Sequence, residues 1–139
     1  MAGGGELLDQ SRKNAPSNLK FVGFEDKNDM WAIADIGLCT SDSEGMPLSL
    51  IEAQMAGVPV VSTDVGSVAE IVDDGKTGYL ASRELEDLVL KIAPLIESSD
   101  RREEMGIAAK KRAEQLFSAD VMVKAHLRVY QEVLGRVSR

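Results

Sequence analysis

The order of apolar patterns along this sequence predicts an α/β fold, a parallel sheet of about four strands flanked by helices and followed by a wholly helical final third. Three observations carry that reading. Short aliphatic runs alternate with stretches whose apolar residues recur at helical spacing, as successive strand–helix–strand units do. After Ser82 the strand-like runs stop, and three apolar stripes at i, i+3, i+4 spacing follow one another to the end. A length of 139 residues holds one domain with a single hydrophobic core.

The first strand-like run is 19–24, after which Asp26 is placed to cap a helix over 27–34. A strand over 36–40 and a helix over 48–56 come next, the helix ended by Gly57 as a left-handed cap and by Pro59, which cannot continue it. Residues 59–63 form the third strand, 68–72 a short helix and 78–81 a weaker fourth strand. In the final third, Leu85, Leu88, Val89, Ile92, Leu95 and Ile96 line one helix face, which Pro94 is expected to kink or end early. Met105, Ala109, Ala113, Leu116 and Phe117 form a second stripe. Val121, Ala125, Val129 and Val133 begin a third, with Ser118 as its N-cap after the apolar Phe117. All three helices are expected to pack on the sheet. Only Gly3 to Gly5 reads as a linker.

Composition excludes several function classes. With 44% hydrophobic and 28% charged residues the chain is neither disordered nor fibrous. Sixteen Lys and Arg against 23 Asp and Glu give a net charge of −7, which argues against a nucleic-acid partner. The one basic cluster, Arg101, Arg102, Lys110, Lys111 and Arg112, is interleaved with Glu103, Glu104 and Glu114, and reads as a solvated mixed-charge helix face rather than an anion site. Cys39 is the sole cysteine, so neither an intramolecular disulfide nor a cysteine metal cluster is possible, which suits a cytoplasmic setting. No stretch approaches the ~18 apolar residues that a transmembrane segment needs. The start carries no apolar run behind a basic segment, so no targeting peptide is read there. His126, the sole histidine, cannot serve as both general base and metal ligand, and is expected to be a partly buried packing residue.

The informative segment is 41–57, SDSEGMPLSLIEAQMAG, a loop running into a helix N-terminus. Pro47 suits the first helical turn, whose N–H groups and positive dipole end attract an anion such as phosphate. Gly45 lets a ligand approach the backbone closely. Glu44 lies before the helix and Glu52 more than one turn inside it. They therefore either reach different parts of one elongated ligand or are surface carboxylates around a capped helix. Carboxylates accept well from pairs of sugar hydroxyls.

The surrounding residues, ADIGLCTSDSEGMPLSLIEAQMAGVPVVSTDVGSVAEIVDDGKTGYL, closely resemble the donor-binding domain of group 1, or family 4, retaining glycosyltransferases. The family pattern E-G-M-P-x-x-x-x-E-A is followed by A-G-x-P-V-V-x-T-D-V-G, then E-I-V, D-G and T-G, all in order here. The resemblance runs from about Gly3 to Leu134 and implies a Rossmann-like half of a two-domain GT-B enzyme that uses a nucleotide-sugar donor. It implies a retaining outcome with no metal and no cofactor. Glu52 then matches the carboxylate that holds the ribose hydroxyls, and Glu44 the catalytic one that contacts the transferred sugar. Backbone N–H groups of Gly45, Met46 and Leu48, around Pro47, match the sugar and diphosphate contacts. Val22 and Gly23 match the backbone beside the nucleobase. Gly66 and Ser67 either border the sugar pocket or form a structural turn, while Cys39 and Thr40 read as strand-end packing.

The resemblance is also incomplete. Relatives carry a diphosphate-binding Arg and Lys in the first strand–helix segment, and the opening GGGEL matches a turn beyond it; Arg12 and Lys13 are not replacements by position. The N-terminal acceptor domain of the family is likewise missing, so the isolated chain is expected to be inactive and to bind donor weakly. The alternative is a non-catalytic interaction module that keeps the fold. In a Rossmann strand order the missing strands would stand between 19–24 and 36–40, leaving a gap of roughly 14 Å. Direct pairing of those two runs, or a homo-oligomer formed by edge pairing or strand exchange, is expected to close it.

Overall fold

The structure, a computed structural model, describes residues 1 and 4–137, the last two by backbone alone; Gly3, where the glycine run begins, lies outside the described residues. The chain forms two compact units, Met1–Ala34 and a larger one from Asp35 onward.

The first unit contains α1 (Leu8–Lys13) and α2 (Lys27–Ile33), neither with a buried residue. The sequence reading had no helix at α1. Asp26 caps α2 as expected, its Oδ1 accepting from the Asn28 N–H at 2.7 Å. The 19–24 run corrects the reading, because it contributes no strand to the sheet. A strand needs an extended course and a continuous ladder. Here Val22 N–H donates to the Met1 carbonyl at 3.0 Å and the Met1 ammonium to the Lys20 carbonyl at 2.8 Å, but Gly23 then turns the chain at φ 79°.

The second unit holds a parallel sheet of three strands, β1 (Gly37–Cys39), β2 (Val60–Thr63) and β3 (Gly78–Ala81), in the order β1-β2-β3. Gly37 pairs with Val60, and Val61 with Tyr79. All four β2 residues are buried, which is why this central strand reads as an unbroken VVST run rather than an alternating one. Helices α3 (Leu48–Met55) and α4 (Val68–Ile71) connect the strands, and α5 (Leu85–Glu97), α6 (Ser99–Phe117) and α7 (Ala119–Val137) follow.

The α3 end is a Schellman motif. Gly57 sits at φ 80°, its N–H donating to the Gln54 carbonyl at 2.9 Å, while Val58 N–H reaches the Ala53 carbonyl at 2.9 Å. Gly106 of α6 lies directly against this cap, and a Cβ there would collide with the Gly57 carbonyl. Gly106→Ala gains helix propensity but overpacks the crossing, so a net loss of about 1–2 kcal/mol is expected in urea unfolding. An unchanged midpoint would show that α6 can shift freely.

Helix α5 runs through Pro94 to Glu97 and does not end early. Leu95, fully buried against Val61 and Met105, holds the following turn in place. Arg102 Nη1 donates to the Leu95 carbonyl at 2.7 Å and so satisfies one of the carbonyls at the helix end. The buried stripe is narrower than the periodicity suggests, since Leu88 and Ile92 pack on this cluster while Leu85, Val89 and Ile96 are exposed. At the N-terminal end, the Ser82 N–H donates to Asp87 Oδ2 at 2.6 Å, and this bond lowers the Asp87 pKa from its ordinary 3.8. A depressed carboxylate stabilises the fold above the unfolded value and loses that contribution as pH falls through the folded one. Asp87→Asn is therefore expected to narrow the stability gap from wild type only below pH 3.8, as read by acid titration of the unfolding midpoint.

The arginines of the basic cluster also do more than face solvent, Arg101 Nη1 donating to the Tyr79 hydroxyl at 3.4 Å. Besides Arg102, Arg112 donates through Nε to the Ile71 carbonyl at 3.1 Å and through Nη2 to the Glu70 carbonyl at 2.9 Å, closing the end of α4. In α6, Met105, Ala109 and Ala113 are buried, while Leu116 is exposed.

Helix α7 is not packed on the sheet. Ser118 caps it through its Oγ, at 3.4 Å from the Val121 N–H, yet the described side chains from Val121 to Gly135 are all exposed. Helical periodicity reports an apolar face and not what covers it. His126 is accordingly exposed, with Nδ1 2.8 Å from the Met122 carbonyl oxygen and its ring edge-on to Tyr130. Among the described residues, no helix is long and apolar enough to cross a membrane.

Candidate functional site

In a parallel sheet, ligands bind outside the carboxyl ends of the strands, where loops run into helix N-termini. The loop after β1 and the loop after β2 meet at that end. Ser67 N–H donates to the Gly45 carbonyl at 3.0 Å, and Thr63 Oγ1, at the end of β2, donates to the Ser41 carbonyl at 2.6 Å. Gly66, at φ 56°, presses on the Glu44 carbonyl so closely that a Cβ at 66 would collide with it. Of the two readings of Gly66 and Ser67, the structural turn is therefore present, and it braces the β1–α3 loop.

Within that loop Glu44 is half-buried and held. Ser41 Oγ donates to Glu44 Oε1 at 2.6 Å, and the Cys39 thiol points to the same oxygen at 3.9 Å, 3.5 Å from Ser41 Oγ. Cys39 is thus more than strand-end packing. Sequence reasoning passed over Ser41 and Thr63; the available signal was a hydroxyl three residues before Glu44 and another closing the adjacent strand.

Pro47 is the N-cap of α3, at φ −67° and ψ 111°, rather than a residue of its first turn. Its buried ring locks the entry to the helix and gives no side-chain cap. Gly45, Met46 and Leu48 are exposed around it. Glu52 lies in α3 beyond its first turn and is half-buried. Glu44, Gly45, Met46, Pro47, Leu48 and Glu52 all belong to the second unit, on the β1–α3 loop and α3. Val22 and Gly23 belong to the first unit, where the Val22 N–H is already taken by Met1.

A braced loop and helix N-terminus at the carboxyl end of a parallel sheet belong to the Rossmann-like class of fold. Residues 2–112 match the family Glycosyl transferases group 1, and the chain belongs to that family. It is 28% identical over 116 residues to N-acetyl-alpha-D-glucosaminyl L-malate synthase of Bacillus anthracis, covering 82% of this chain and 30% of that protein. Its fold is shared with sucrose-phosphate synthase from Thermosynechococcus elongatus, at TM-score 0.84 and 21% identity over 92% of this chain and 33% of the other. Anabaena HepE, solved in complex with UDP, superposes at TM-score 0.73 with 26% identity, covering 96% of this chain and 36% of HepE. The chain therefore spans about a third of the length of such relatives.

Proposed function

We propose that this chain is the donor-binding part of a retaining glycosyltransferase that moves a sugar from a nucleotide-sugar to an acceptor without a metal ion. The observation that carries the reading is the fixed Glu44 carboxylate beside the N-terminus of α3, with Glu52 further along the same helix. The helix dipole and the N–H groups of the 45–48 turn suit the diphosphate and its developing charge. Glu44 accepts from hydroxyls of the transferred sugar, and Glu52 from those of the ribose. HepE, with UDP bound, supports the nucleotide class.

An N-terminal acceptor domain completes the enzyme in this reading, and without it the 139-residue chain turns over no donor. Its setting is the cytoplasm. Strand β1 is an edge of the three-stranded sheet, which favours pairing between copies. The alternative, an interaction module, draws on the exposed apolar residues of α7, among them Leu127 and Tyr130. Calorimetric titration with UDP-glucose, GDP-mannose and ADP-glucose separates the two. Weak but saturable binding of one nucleotide class is expected, whereas no heat with any of the three leaves the interaction module.

A further inference from the structure

We propose that Ser41 is a positioning residue that presets the Glu44 carboxylate for the donor sugar, and that Thr63 anchors Ser41 from the sheet. The inference rests on the reading of Glu44 as the sugar-contacting carboxylate. A glutamate side chain in solution samples many rotamers, and ordering it on binding carries an entropic cost. Here that order exists beforehand. Ser41 Oγ fixes Oε1 from one side at 2.6 Å, and the Cys39 thiol approaches the same oxygen. A carboxylate offers about four lone-pair sites over two oxygens, so engaging Oε1 directs the ligand's hydroxyls to Oε2. Ser41 itself is not free to drift, because Thr63, 1% exposed and on the central strand, donates to its carbonyl at 2.6 Å. Gly66 seals the arrangement by packing on the Glu44 carbonyl. The chain of contacts runs from the buried core of the sheet, through one hydroxyl and then another, to the carboxylate.

Such a device acts on the sugar and not on the nucleotide. The test compares two affinities of the 139-residue chain: for UDP-glucose, GDP-mannose or ADP-glucose, whichever binds, and for the matching UDP, GDP or ADP. Ser41→Ala is expected to weaken the sugar-nucleotide about tenfold while leaving the nucleoside diphosphate unchanged. Ser41→Thr, which keeps the hydroxyl, is expected to retain affinity, and Thr63→Val to reproduce part of the Ser41→Ala loss. Far-ultraviolet circular dichroism checks that each variant folds, and Thr63→Val carries the test should Ser41→Ala not fold. If Glu44→Gln removes the sugar's contribution but Ser41→Ala and Thr63→Val do not, the positioning role is overturned and the donor site stands. If Glu44→Gln has no effect, or no sugar-nucleotide binds, the reading of Glu44 falls and this inference falls with it.

Discussion

Gly66→Ala is expected to cost about 2–5 kcal/mol of stability and to disorganise the site together. The position combines two independent penalties. Its φ of 56° is left-handed, which a β-carbon opposes by roughly 1–2 kcal/mol. The added carbon would also collide with the Glu44 carbonyl, backbone that cannot move without breaking the bond from Ser67 N–H to Gly45 O. Overpacking of that kind adds about 1–3 kcal/mol. Urea unfolding measures the sum, and a midpoint equal to wild type would mean that the two loops do not brace one another.

In a glycosyltransferase with this domain as its proposed donor half, replacing the two glutamates is expected to have separable consequences. On the proposed role, Glu52→Ala removes a ribose acceptor used equally in ground and transition states, so KM for the donor rises by about 10–100-fold with kcat little changed. On the proposed role, Glu44→Ala removes an acceptor at the reacting sugar, where interactions count most as charge develops, and lowers kcat by about 10²–10³-fold. Steady-state kinetics with varied donor reads both. Full activity in either variant would remove that residue from the site.

How far the sequence reached depends on whether local signals stood alone. The 78–81 run was legible as a strand, and the Gly57 cap followed from the α3 pattern, because glycine chemistry and apolar periodicity agree there. The 19–24 run carried the same apolar signal but lacks a ladder, so its pattern misled. Pro94 misled in the opposite direction, since burial of Leu95 outweighs the local break. At the site, the motif gave the placement of Glu44 before α3 and of Glu52 within it, and their neighbourhood was not legible. The bond from Thr63 to Ser41 joins residues 22 apart in sequence, and the Gly66 approach to Glu44 is likewise a product of two loops meeting across the sheet end. Helix α7 had a true amphipathic pattern, and its exposure could not be read from the pattern alone.

Amide chemical-shift mapping of the ¹⁵N-labelled chain during a nucleotide-sugar titration tests whether the β1–α3 turn receives the donor, as proposed. Shifts concentrated at the N–H groups of Gly45, Met46 and Leu48, with smaller ones at Gly66 and Ser67, saturating together, are expected. Shifts confined to α7 around Met122 to Tyr130, with 44–52 unmoved, would contradict it.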